Sequence, residues 1–250
     1  MNKENSVPSF FTPHLKSNDK NLFISGEEHH HISHVFRKKI NDELQLTNGK
    51  GLLASAKIIS IKKKDIEVEI LKIHSIKRSQ PEMAAAFPLL KNKHDFMIVE
   101  KLTELGVKEF FPITTARTVR KPSFNTVEKF EKIAVAATKQ CDNAFLPKVY
   151  TCTEIKELVQ NLKNKNYLPV VALEFGEHKL ISEIVSDLQQ PVCLIIGPEG
   201  GFTKEEAEFL QVNEVIPFTL GNHILRAETA AIAAVSQLLA VNLKQDPEYY

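Results

Sequence analysis

The chain has 250 residues, with 32 Lys+Arg against 31 Asp+Glu, 43% hydrophobic and 25% charged side chains. That composition excludes a disordered, collagenous or coiled-coil chain and leaves room for one large domain or two modest ones. The formal net charge of +1 argues by itself against a nucleic-acid partner, but it hides a segregation. Residues 1–80 carry 14 basic and 9 acidic side chains, a sum of +5, whereas residues 81–250 carry 18 and 22, a sum of −4. Six histidines (His14, His29, His30, His31, His34 and His74) lie in the front segment, which therefore gains charge as pH falls. Charge alone leaves two readings level: a module that reads nucleic acid, or a solvated surface with uneven lysines.

The N-terminal MNKENSVPSFFTP contains no apolar stretch of signal-peptide length, and nowhere do about 18 uncharged apolar residues run together. A cytoplasmic chain that does not span a membrane is expected. Cys141, Cys152 and Cys193 are odd in number and lack CxxC or Cys/His spacing, so no disulfide framework and no zinc site is expected. His29, His30 and His31 leave three consecutive positions in different directions. They suit a loop or a helix start better than a metal site, and no metal is expected.

In SGEEHHHISHVFRKKINDEL, Ser25 and Glu28 have capping-box spacing, and Ile32, Val35 and Phe36 follow at helical spacing. This puts Arg37, Lys38 and Lys39 at the C-terminal end of a helix, where cations complement the dipole whether or not they also touch RNA. Residues 44–73 alternate apolar and polar side chains around turn signals at Asn48-Gly49 and Lys64-Asp65, which predicts a small antiparallel barrel or meander. IKRSQPEM, around 76–83, reads as a linker.

Beyond it, strands alternate with helices. AAAFPLL is followed by a helix from about His94 to Leu105 stopped by Gly106, then by the strand FFPI. An amphipathic helix follows, with Asn125 as candidate cap and Val127, Phe130, Ile133, Ala134 and Ala137 on one stripe. LPVVALE, PVCLIIG and EVIPFTLG are apolar runs of the kind buried on both faces of a parallel sheet. The second domain reads as α/β.

Gly197, Gly200 and Gly201 share one loop, IIGPEGGFTKEE, after the most apolar strand and before a helix for which Thr203 and Glu206 form a capping box. Glycines serve positive φ or close approach of a ligand, and ligands bind at strand carboxyl ends of open parallel sheets. A tight turn alone is the competing explanation. There is no Lys-Ser/Thr after the glycines and no GxGxxG in the first βα unit, which removes the P-loop and the dinucleotide fingerprint. TLGNHILRAETAAIAAV repeats the arrangement, with a strand ending at Gly221 and a loop carrying Arg226 and Glu228. Ala227, Ala230, Ala231, Ala233 and Ala234 suit a buried or dimer-forming helix.

IGPEGGFTKEE and LGNHILRAETAA resemble the cofactor-loop motifs of the SPOUT class of S-adenosylmethionine-dependent RNA methyltransferases. KLTELGVKEFFPITTART and HHISHVFRKKINDEL narrow the resemblance to the ribosomal RNA small subunit methyltransferase E family, which methylates N3 of a uridine in 16S ribosomal RNA of the small ribosomal subunit. The resemblance covers essentially the whole chain. It implies a PUA-like β-barrel over residues 1–75 and a SPOUT α/β domain over 76–250, with a parallel sheet and a deep trefoil knot. It also implies a homodimer with S-adenosylmethionine bound at its interface.

Carried over by motif, the implied cofactor contacts are Gly197, Glu199, Gly200 and Gly201 in the first loop. Leu220, Gly221, Ile224, Leu225, Glu228 and Thr229 belong to the second, and Leu173 and Glu174 end the preceding strand. Catalysis reduces to holding the activated methyl group in line with N3. Arg226 is the candidate to stabilise the developing uracil anion; the alternative pairs it with Glu228 or Glu199 to hold the loop. His34, Arg37, Lys38 and Lys39 are the candidate phosphate contacts, and Arg117 and Arg120 the candidates near the target nucleotide. Phe10 and Phe11 either stack on a base or belong to the core. Ser9, Asn143, Phe145, His223 and Ala227 depart from the family's usual pattern. Methylation of a ribose 2′ oxygen and an inactive RNA-binding assembly factor are the alternatives; the intact GPEGG and ILRAETA segments argue against the second.

Overall fold

A computed structural model describes residues 9–78, 80–173, 178–184 and 190–242. They divide into two compact units, one of residues 1–78 with 135–146 and the other of residues 79–134 with 147–250. No helix among the described residues is long and apolar enough to cross a membrane.

In the first unit, β1 (Ser9–Phe11), β2 (Asn21–Ser25), β3 (Glu43–Thr47), β4 (Leu52–Ile61) and β5 (Asp65–Ser75) form one sheet in the order β1-β3-β4-β5-β2. β3, β4 and β5 are antiparallel neighbours, as their alternating pattern requires. Asn48 closes the first turn: its Oδ1 accepts from the N–H groups of Lys50 (2.8 Å) and Leu52 (3.0 Å), and Gly49 supplies φ +67. Register shifts at Ser55/Ala56 and Ile58/Ser60 bend the long hairpin. The sheet curls around Phe10, Ile24, Ile32, Leu44, Leu46, Ile58, Ile66 and Val68. β1 runs parallel to β3. At the ends of the order, β1 and β2 pair with no further described strand, so the ladder is open rather than closed.

The histidine-rich segment differs from its expectation. α1 (Gly26–His30) is a single turn that passes into a five-residue π-helix, His31–Val35. Ser25 makes no side-chain cap, and the Glu28 carboxylate, the other half of the expected box, accepts from Lys139 Nζ at 2.7 Å instead. Arg37 lies past the helical turns in a left-handed conformation, φ +53. Residues 135–146 pack with this unit through the β3–β4 turn. Gly51 N donates to Ala144 O (2.8 Å), Leu146 N to Gly49 O (2.9 Å), and Thr47 Oγ1 to Asn143 O (3.1 Å).

The second unit is a parallel sheet of β6 (Met83–Pro88), β7 (Glu109–Thr114), β8 (Lys148–Val149), β9 (Thr153–Glu154), β10 (Leu168–Ala172), β11 (Val192–Ile195) and β12 (Ile216–Phe218). Its order is β12-β10-β11-β6-β7-β8, and β9 also pairs with β7. Every residue of β6 and β11 is buried, the mark of strands covered on both faces. The helices are α2 (His94–Glu104), α3 (Thr126–Gln140), which runs on into residues grouped with the first unit, α4 (Ile155–Asn164), α5 (Ile181–Ile184), α6 (Lys204–Val212) and α7 (Ala227–Asn242). α4 buries Ile155, Leu158, Val159 and Leu162 on one stripe, against a core that includes Phe111, Val171, Cys193, Ile195 and Leu210. α7 packs on α2, α5 and β11, burying Ala230, Ala231 and Ala234. From β6 the chain moves to β7 and β8 on one side, then returns to β10, β11 and β12 on the other. The reversal lies between β6 and β11, where strand carboxyl ends open a crevice.

Candidate functional site

A cavity of about 590 Å³ occupies that crevice. Its walls come from the loops after β6 (Lys91, Asn92, His94), β10 (Leu173), β11 (Gly197, Pro198, Glu199, Gly201, Phe202) and β12 (Thr219 through Arg226), and from Ala227, Glu228 and Ala230 of α7. Ile196, Phe202, Phe218 and Ala230 are buried around it and give an apolar floor.

The loop after β11 is tied down at almost every residue. Gly201 N donates to Pro198 O at 2.8 Å, closing a turn in which Gly201 has φ +67. A Cβ on Gly197 would stand 3.0 Å from the Phe202 ring, so glycine there lets the ring close over the turn. The capping box forms as the sequence predicts: Thr203 Oγ1 accepts from Glu206 N (3.2 Å) and Glu206 Oε2 from Thr203 N (2.9 Å). Glu206 Oε1 also accepts from Ala116 N at 2.7 Å. Glu199 Oε1 accepts from Lys91 N at 2.9 Å, and Arg117 Nη1 donates to Gly200 O at 2.6 Å.

The loop after β12 is looser. Gly221, φ +130, is held, among the described residues, through the Thr219 hydroxyl, which bonds its N–H (3.3 Å) and its carbonyl (3.2 Å). Asn222, His223 and Ile224 are exposed and Leu225 half-buried. The loop ends where Arg226 O accepts from Ala230 N at 2.8 Å, opening α7. One helical position on, Glu228 is buried and lies 3.0 Å from His94 Nδ1. With Glu228 on His94 and Glu199 on Lys91, Arg226 has no ion pair among the described residues. Arg226 is exposed and lines the cavity.

Of the expected cofactor contacts, Leu173, Gly197, Glu199, Gly201, Leu220, Gly221, Ile224, Leu225 and Glu228 line this one cavity. Gly200 faces Arg117 instead: a Cβ there would meet Arg117 Cδ at 3.3 Å. Thr229 is exposed on α7, and Glu174 lies outside the described residues. Lys91, Asn92 and His94 line the cavity without having been anticipated. Their loop follows a strand carboxyl end, but it turns through left-handed Asn92 (φ +52) and Lys93 (φ +60) rather than glycine, and so lacked the signal that marked the other two.

In the first unit His34 is exposed, stacked on His30 with ring centroids 4.9 Å apart. Arg37 and Lys39 are exposed, and Lys38 Nζ donates to Glu43 O at 3.3 Å. Val35, Phe36 and Ile40, also exposed, are interleaved with them. Phe10 is in the core, edge-on to Phe36 at 5.5 Å. The three consecutive histidines have three separate environments: His29 Nε2 meets Lys62 O (2.9 Å), His30 stacks on His34, and His31 lies beside Glu27 and Glu28. Asn143 Oδ1 accepts from Phe145 N at 2.9 Å, and the Phe145 ring lies beneath the Arg78 guanidinium, 4.1 Å from its centre. In the second unit both candidate arginines have protein partners. Arg117 is on the β11 loop, and Arg120 pairs with the fully buried Asp95 and lies over Phe96. Burial lowers the Arg120 pKa from its ordinary value.

A family model for an RNA methyltransferase domain matches residues 77–239, and one for an RNA methyltransferase PUA domain matches residues 24–71. The Ribosomal RNA small subunit methyltransferase E of Bacillus subtilis is 32% identical over 86% of this chain and 88% of its own length. That of Rickettsia conorii is 29% identical over 92% of this chain and 93% of its own. Among solved structures, a methyltransferase from Legionella pneumophila in complex with the bound cofactor SAM superimposes with a TM-score of 0.84 at 28% identity, covering 94% of this chain and 98% of that one.

Proposed function

The chain belongs to the ribosomal RNA small subunit methyltransferase E family, and from that membership we propose that it methylates N3 of a uridine in 16S ribosomal RNA, using S-adenosylmethionine. The observation that carries the reading is the single cavity walled by both motif loops. Its size is that of a small-molecule cofactor site. An apolar floor, with the Gly221 backbone left open because no atom of the described residues stands within 4 Å of where its Cβ would be, fits a cofactor that is part aromatic and part charged. Bound there, S-adenosylmethionine supplies a methyl group already activated by its sulfonium.

The chain's own residues have three tasks. The β11 loop and the apolar floor hold the donor and exclude water, which fixes the line of attack. N3 of uracil is a poor nucleophile until its proton leaves, and the Arg226 guanidinium at the cavity wall puts positive charge where the base becomes anionic. RNA docking falls to residues 1–75, methyl transfer to residues 76–250. The +5 front segment and the exposed His34, Arg37 and Lys39, with Lys38 beside them, support phosphate contacts there. A uracil inside structured RNA is then extruded to reach the methyl group. The protein acts as a homodimer in the cytoplasm, where its ribosomal substrate is. A trefoil knot at the cofactor loops is supported by β10 lying between β12 and β11, with α7 then packing back on α2, α5 and β11.

Two measurements test the proposal. Calorimetry should register binding of S-adenosylmethionine and of its demethylated product; no heat with either rejects the cofactor assignment. Nucleoside mapping of 16S ribosomal RNA from a deletion strain should lack 3-methyluridine. Retention of that nucleoside with loss of a 2′-O-methyl group would reassign the target atom.

A further inference from the structure

Arg117 belongs to the turn after β7, yet its guanidinium ends on the loop after β11, with β6 lying between those two strands in the sheet. That is roughly two strand spacings, about 9–10 Å, a gap that only a long side chain spans. The turn presenting it is rigid. Thr115 N donates to Thr118 Oγ1 at 2.9 Å, and Thr118 N donates to Thr115 O at 3.1 Å. Ala116 N, in the same turn, donates to Glu206 at 2.7 Å, so a backbone amide and a side chain of one turn both grip the segment around the glycines.

The atom Arg117 holds is significant. Gly200 O and Gly201 N belong to one planar peptide unit. The carbonyl accepts from Arg117 Nη1 at 2.6 Å and the N–H donates to Pro198 O at 2.8 Å. Bonds on opposite edges prevent that plane from rotating, and its orientation sets how the turn faces the cavity. Gly200 is matched to this contact, because a Cβ there would press on Arg117 Cδ at 3.3 Å.

We propose that Arg117 is a positioning residue that locks the Gly200–Gly201 peptide for cofactor binding, rather than an RNA contact. The inference deepens the reading of the cavity as the S-adenosylmethionine site and rests on it. Arg117→Met keeps the length and loses the donors; Arg117→Lys keeps a charge with a single donor nitrogen. Three readouts separate the possibilities: amide exchange of Gly201 in the free protein, calorimetric affinity for S-adenosylhomocysteine, and filter binding of a 16S ribosomal RNA transcript. Arg117→Met should speed Gly201 exchange and weaken cofactor affinity tenfold or more, with RNA affinity within twofold of wild type. Arg117→Lys should fall between, and it decides the matter if the methionine variant does not fold. Unchanged exchange and cofactor affinity, or a fall in RNA affinity alone, overturns the proposal. Absence of heat from the wild type with the cofactor product rejects the cofactor reading instead, and the exchange measurement still decides whether Arg117 locks the peptide.

Discussion

The loops after β11 and β12 wall the same cavity under opposite regimes. Lys91, Ala116, Arg117 and the Thr203–Glu206 box fix the first before any ligand arrives. The second hangs between the Thr219 hydroxyl and the first turn of α7, with Ile224 79% exposed. Among the described residues it makes few backbone bonds, and with an exposed apolar side chain that is the pattern of a segment of low local stability. Fixing one residue's backbone costs about 1–2 kcal/mol, and fully burying an isoleucine returns about 1.5–3 kcal/mol. Ordering several residues of the second loop therefore costs more than burying Ile224 alone returns, and closure needs a ligand's contacts. A rigid wall gives orientation, while a loose one lets a ligand enter and then covers it.

The largest effect that sharpens this comparison is chemical. Arg226→Ala should lower turnover by about 10²–10³, as loss of a charge-stabilising donor does, and leave cofactor affinity within about twofold. Single-turnover assays beside calorimetry check this, and an unchanged rate would return Arg226 to a structural part. Next in size, Glu206→Ala leaves the Thr203 cap but removes the carboxylate's half of the capping box and the bond to Ala116 together. A loss of roughly 1–2 kcal/mol of stability is expected in denaturant melts, and no loss would mean that the first loop is not rigid for the reason given. Gly221→Ala is smaller: nothing obstructs its Cβ, but φ +130 is strained for alanine, at a cost of about 1 kcal/mol.

The local features were legible in the sequence and the long-range ones were not. Period-two alternation and Asn48-Gly49 mark β3 to β5, unbroken apolar runs mark the parallel strands, and the glycines of residues 197–201 mark the cavity. Ser25 and Glu28 have the spacing of a capping box, yet Glu28 is taken by Lys139, 111 positions away. Arg117 and Arg120 look like solvent-facing cations after a strand because Gly200 O and buried Asp95, which bind them, are distant in sequence. β1 is a three-residue strand whose parallel partner begins beyond residue 40, too short to carry a pattern. The Lys91–Lys93 wall turns without glycine. Local pattern encodes propensity; the partner that satisfies a charge or a strand edge is chosen only when distant elements meet.

The smallest effect on the free protein is the sharpest test of the loose wall. Ile224 is mostly solvated, so Ile224→Ala should change stability by less than about 0.5 kcal/mol. If the loop closes over the cofactor, the same truncation removes apolar surface that becomes buried only on binding. Affinity for S-adenosylhomocysteine should then fall severalfold, and the negative heat-capacity change of binding should shrink with it. Calorimetry at several temperatures reads both quantities. Unchanged affinity with an unchanged heat capacity would mean that Ile224 stays in solvent in the complex, and the two loops would then differ in rigidity without differing in what they do.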